Sequence, residues 1–156
     1  MKQILAAIDF SEATLPILDR AAELAEAFDA TLTLVHVAAP DPDFVGYAAG
    51  PDSVRDARAR ELRKEHRTLQ AYAEDLRQRG IRATALLVQG PTVAMLLDEA
   101  RSLRADVIVV GSRGHGSVQR LLLGSVSRGV LGGALCPVHW VPARRVAALE
   151  QRGGVA

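Results

Sequence analysis

The stretch Asp106-Val107-Ile108-Val109-Val110-Gly111-Ser112-Arg113-Gly114, followed after nine intervening residues by Gly124-Ser125-Val126-Ser127, decides how this chain folds. The apolar run Val107 to Val110 reads as a buried strand, and it stops at a glycine. A new helical pattern opens at Gly124. A buried strand, a glycine turn and a hydroxyl-rich helix start are the parts needed to hold a phosphate chain. Glycine lets the backbone approach an anion closely. Free N–H groups at a helix start point toward that anion, and the helix dipole favours its charge.

The same alternation extends through the rest of the chain. Ile4 to Ile8 is a second doubly buried strand, and Asp9-Phe10-Ser11 turns the chain. Leu15, Leu18, Ala21, Ala22, Leu24, Ala25 and Phe28 then follow helical spacing. Pro16 places the start of that helix between Ser11 and Thr14, with the proline in its first turn. Thr31 to Val37 reads as a strand. Residues 38 to 52, with Pro40, Pro42, Gly46, Gly50 and Pro51, form the longest loop. Ser53 to Arg79 predicts a long helix with a wide polar face, ended by Gly80. A strand over Ala83 to Val88 follows, and Gly90-Pro91-Thr92 opens a helix through Ser102. The last helix is predicted over Gly124 to Leu135 and a short fifth strand over Pro137 to Val141. One domain over residues 1–142 results, with a tail at 143–156 expected to fray. Short apolar strands joined by helical crossovers imply an open parallel sheet covered on both faces. Ligands of such sheets bind beyond the carboxyl ends of the strands, where strand order reverses. Asp9, Val37 and Gly111 all fall at those ends.

Composition narrows the class. The chain has 156 residues, 49% hydrophobic but only 4% aromatic, so Ala, Val and Leu build the core. Nineteen basic against 18 acidic residues give a net charge of +1, too little for a general nucleic-acid surface. A single cysteine, Cys136, rules out an internal disulfide and reads as a small apolar residue rather than a reactive thiol. Asp9 interrupts the first apolar run too early for a secretory signal, and no run reaches the ~18 apolar residues of a membrane span. A cytoplasmic protein is the expectation.

Taken together, these residues resemble the universal stress protein family. Gly111, Gly114 and Gly124-Ser125 fit its pattern of Gly-x2-Gly-x9-Gly-Ser/Thr. The flanking Asp9-Phe10-Ser11, Gly90-Pro91, Ala105-Asp106 and Cys136-Pro137-Val138 occur in the matching order. The resemblance covers nearly the whole chain. It implies a flavodoxin-like α/β fold, an open parallel five-stranded sheet in the order 3-2-1-4-5 with helices on both faces. It also implies an adenine nucleotide at the switch point and a homodimer through the last strand, around Val138 to Val141. Members with the complete glycine motif generally bind ATP, so ATP is the cofactor expected here, with any Mg²⁺ held through the phosphates near Asp9. His139 and Trp140 depart from the aliphatic residues usual in the family's final strand. Trp140 could anchor a dimer or cover the core of its own subunit.

The resemblance assigns a role to each candidate residue. Asp9 accepts from ribose hydroxyls or helps place a metal; as a plain turn residue it would cap the first helix. Val37 pairs with the adenine edge through its backbone amide and carbonyl. Gly111, Gly114, Gly124 and Ser125 form the phosphate cradle through backbone amides, with the Ser125 and Ser127 hydroxyls as further donors and Val110 and Val126 as further nucleotide-binding residues. Arg113 can neutralise phosphate as a guanidinium fork, or be a solvated loop residue. His115, Arg120 and Arg128 carry weaker claims, and His36 reads as structural. No Lys lies between Gly111 and Ser127, which separates the loop from a Walker A motif. The function expected is a nucleotide-dependent regulatory or stress-response protein acting on an unidentified protein partner, without rapid turnover. A slow ATPase or phosphotransferase at the same site is the alternative. A receiver domain would need paired acids after the first strand, but Phe10 follows Asp9, and no Lys occurs after Lys64. A flavin carrier would need more aromatic residues.

Overall fold

The computed structural model describes residues 1–38, 52–112 and 124–142. The tail, Arg113, Gly114, His115, Arg120 and most of the 38–52 loop lie outside them. Five strands and four helices alternate along the chain. They are β1 (Gln3–Ala7), α1 (Thr14–Phe28), β2 (Thr31–Ala38), α2 (Asp52–Gln78), β3 (Ala83–Gln89), α3 (Thr92–Ser102), β4 (Val107–Gly111), α4 (Ser125–Gly133) and β5 (Val138–Val141). All pairings are parallel, and the spatial order is β3-β2-β1-β4-β5. This is the predicted sheet.

β1 lies at the centre because it is apolar on both faces and paired on both edges. Ile4 is opposite Leu32 of β2 on one side and Val107 of β4 on the other. Ile4 and Ala6 pack with Leu32, Leu34, Ile17 and Leu69 beneath α1 and α2. Leu5, Val35, Ile108 and Val110 pack with Leu96 and Val130 beneath α3 and α4. Period-two alternation along each strand sends side chains to both layers, so neither face can be left to water.

The turn residues account for the helix ends. Pro16 is the third residue of α1, where its missing N–H costs nothing. Asp29 ends α1 in the left-handed region, at φ 48° and ψ 49°. Gly80, at φ +85°, ends α2 as expected. The last helix stops two residues short of the predicted Leu135. Gly132 and Gly133 weaken it, Ala134 is already extended, and Leu135 is 87% exposed. Cys136, read as a small apolar residue, is partly buried. Burial still raises the pKa of its thiol, with Asp106 adding to the rise, so it is a poor thiolate. Trp140 is partly buried against its own subunit's Leu5–Ile108 core.

Gly111 has a packing role. A Cβ built on it would lie 2.7 Å from Ile17 Cδ1 and 2.9 Å from Ala13 Cβ. The end of β4 can therefore meet α1 only without a side chain. Gly111→Ala is expected to destabilise the fold by about 1–3 kcal/mol. Ile17→Val in the same chain removes the nearer clash, so the double variant should unfold in urea at a higher midpoint than Gly111→Ala alone.

A second tie joins β1 to β4 at the opposite end of the sheet. The Asp106 carboxylate accepts from the backbone N–H of Lys2 at 2.6 Å and of Gln3 at 2.9 Å. The Lys2 N–H, then that of Gln3, holds the Asp106 pKa below the usual carboxylate value. A lowered native pKa adds stability above the unfolded carboxylate's pKa, and that stability is lost as pH falls through the native value. Asp106→Ala should therefore be less stable than the wild-type chain near neutral pH. The gap should shrink on acidification below the carboxylate range, as read by denaturant midpoints across pH.

Candidate functional site

A cavity of about 530 Å³ opens at the carboxyl ends of β1, β2 and β4. Connections leave β1 and β4 toward opposite faces of the sheet, which parts the chain at this point. The volume falls within the ~300–1,000 Å³ usual for small-molecule sites. Of the residues picked from sequence, Asp9, Val37, Val110, Gly111, Gly124, Val126 and Ser127 line it. They come from four separate segments of the chain. Ser125, the first residue of α4, is exposed and does not line the cavity. Arg128 is likewise an exposed residue of α4.

Asp9 is exposed at the mouth, and its Oδ1 accepts from the Ser11 backbone N–H at 3.0 Å and from the Ser11 hydroxyl. The turn is thus closed by the aspartate itself. Ser11 Oγ in turn accepts from the Ala13 N–H at 3.3 Å and leads the chain into α1. The turn role and an outward-facing carboxylate are compatible.

Val37 is placed by the sheet register. The Ile8 N–H donates to the Val35 carbonyl at 2.9 Å, so Val35 turns its backbone polar groups toward β1. Val37, two residues on, turns the same way. The β1–β2 register ends at Ala7 opposite Val35. The Val37 amide and carbonyl therefore face the crevice past the end of β1.

The opposite wall is the start of α4. Gly124 caps this helix without a side-chain hydrogen bond, and the Arg128 N–H donates back to the Gly124 carbonyl at 3.0 Å. The N–H groups of Ser125, Val126 and Ser127 have no carbonyl one turn earlier in the helix. Ser127 also has a role within the fold. Its hydroxyl donates to the Gly111 carbonyl at 2.9 Å, tying α4 to the end of β4.

Sequence reasoning missed the α2 wall. Arg58, Glu61 and Glu65 also line the cavity. Their i, i+3, i+7 spacing puts them on one helix face, a signal hidden among the many charges of α2. Arg58 Nη1 lies 2.7 Å from Glu61 Oε2. His36, read as structural, has that role and a second one. Its Nδ1 lies 2.7 Å from the Ile8 carbonyl, its Nε2 lies 3.6 Å from Glu65 Oε2, and it lines the cavity. Thr92 and Leu96 close the side under α3. No group of three or more His, Cys, Asp or Glu side chains among the described residues could hold a metal ion unaided. No helix among them is long and apolar enough to cross a membrane.

Comparison with known proteins agrees with this architecture. The family model described as "Universal stress protein family" matches residues 1–142. A universal stress protein of Thermus aquaticus is 36% identical over 138 residues, covering 88% of this chain and 96% of that one. One from Bacillus subtilis is 30% identical over 141 residues, covering 87% and 95%. Among solved structures, the universal stress protein of Archaeoglobus fulgidus in complex with dAMP superposes with a TM-score of 0.62 at 25% identity, covering 90% of this chain and 98% of that one. This chain belongs to the universal stress protein family.

Proposed function

We propose that this protein binds ATP in the crevice at the ends of β1, β2 and β4 and acts as a nucleotide-dependent regulator in a stress response. The observation that carries the reading is the convergence of the outward Val37 backbone, the Asp9 carboxylate and the amino end of α4 on one cavity. The base edge would pair with the Val37 amide and carbonyl, and the ribose hydroxyls would donate to Asp9. The phosphates would take the N–H groups at Gly124 to Ser127, helped by Gly111 and by Arg113 and Gly114 of the intervening segment. Mg²⁺ would arrive with the phosphates, since the described side chains form no metal site of their own. The dAMP complex of the Archaeoglobus fulgidus relative supports an adenine ligand.

A homodimer through Val138–Val141 and a cytoplasmic location complete the proposal. β5 is an edge strand of the sheet, and Val138, His139 and Trp140 are only partly buried. An unpaired strand edge with half-exposed apolar residues suits pairing with a second copy. We propose binding rather than turnover: the Ser127 hydroxyl at the start of α4 is bonded to the Gly111 carbonyl and serves the fold.

Calorimetric titration tests the reading. The wild-type chain should bind ATP saturably, and Asp9→Ala should weaken binding at least tenfold, or ~1.4 kcal/mol. A wild-type chain that binds no ATP at millimolar concentration overturns the proposal.

A further inference from the structure

His36 and Glu65 make an arrangement that the phosphate and ribose contacts leave unused. A carbonyl oxygen can only accept, so the His36 ring nitrogen 2.7 Å from the Ile8 carbonyl must carry a hydrogen. The other ring nitrogen, Nε2, lies 3.6 Å from Glu65 Oε2, beyond hydrogen-bond distance. Glu65 Oε2 is shielded from solvent and has no hydrogen-bond partner among the described residues. A buried carboxylate oxygen without a hydrogen-bond partner at the wall of a cavity calls for a donor.

The imidazole is held in place. The Phe10 ring packs on it at 4.4 Å between centroids, with Tyr72 beyond at 6.5 Å from Phe10. Phe10 reaches that position at φ 58°, a left-handed conformation disfavoured for a non-glycine residue. His36 directly precedes Val37 on β2, so the Glu65 carboxylate beside its ring lies near the backbone groups assigned above to the base. Charge sorts the two ends of the cavity. The amino end of α4 favours phosphate, whereas a carboxylate repels phosphate and accepts from an amine.

We infer that Glu65, positioned by His36, is a specificity-determining residue that accepts a hydrogen from the exocyclic amine of adenine. The amine carries two hydrogens, one for the Val37 carbonyl and one for Glu65. A 6-oxopurine would set its carbonyl oxygen against the carboxylate. This inference rests on nucleotide binding in the cavity and adds selection of a 6-amino over a 6-oxo base.

The test compares ATP with ITP, which differ at the purine 6-position, by calorimetry on the full chain. The wild type should prefer ATP. Glu65→Ala should cut the ATP-to-ITP affinity ratio at least tenfold. Glu65→Gln, nearly isosteric, can turn its amide nitrogen toward a 6-oxo group and should bind ITP more tightly than the wild type does. Circular dichroism on each variant checks that the fold is kept. If the wild type binds ATP and both folded variants keep the wild-type ratio within twofold, Glu65 is only a structural partner of His36 and the inference is wrong. An equal loss for both nucleotides in Glu65→Ala also overturns it, assigning Glu65 to the ribose. A wild type that binds neither nucleotide overturns the nucleotide reading itself and this inference with it.

Discussion

The structure depends on the double burial of β1. Its backbone is bonded to β2 on one edge and to β4 on the other, and its side chains feed both apolar layers. A strand so enclosed must be short and wholly apolar, which Ile4 to Ala6 satisfy at 0% exposure. It also forces the connections after β1 and β4 to opposite faces. The crevice between them is a by-product of that topology, and Asp9, Val37, Gly111 and Gly124 border it because each lies at a strand end or a helix start there.

The glycine motif serves the fold and the cavity together. Gly111 is required by Ile17 and Ala13, which fill the space a side chain would occupy. Ser127 then latches α4 onto the Gly111 carbonyl and fixes the direction of that helix's amino end. Close packing on one side of β4 thus sets an array of backbone N–H groups on the other. A motif read as an anion cradle is equally a packing motif, and the two readings do not compete.

Much of this was legible in the residues. Val107 to Val110 and Ile4 to Ile8 announce buried parallel strands because nothing polar interrupts them. Gly80 and Pro16 mark helix ends through backbone chemistry that neighbours cannot override. Two kinds of feature escaped. The end of α4 was placed too late, because Leu131 and Leu135 extend the helical period while the backbone preferences of Gly132 and Gly133 end it earlier. The α2 wall escaped because Arg58, Glu61 and Glu65 differ from their solvated neighbours only in where the helix lies over β2. That position is set by Leu69, Ala73 and Leu76 packing against the sheet. Polar residues turned inward by tertiary packing carry no local signature. His36 shows the same limit: its strand position was plain, its partner twenty-nine residues away was not.

The central claim is that this crevice is where an adenine nucleotide sits. Amide chemical shifts recorded during an ATP titration test it most directly, since they report position as well as affinity. The largest changes should fall on Val37, Gly111 and Gly124 to Ser127, while Ala105 and Cys136, which line a separate hollow formed with α3 and α4, stay still. Changes centred on Arg101, Ala105 and Cys136, with Val37, Gly111 and Gly124 unmoved, would contradict the placement.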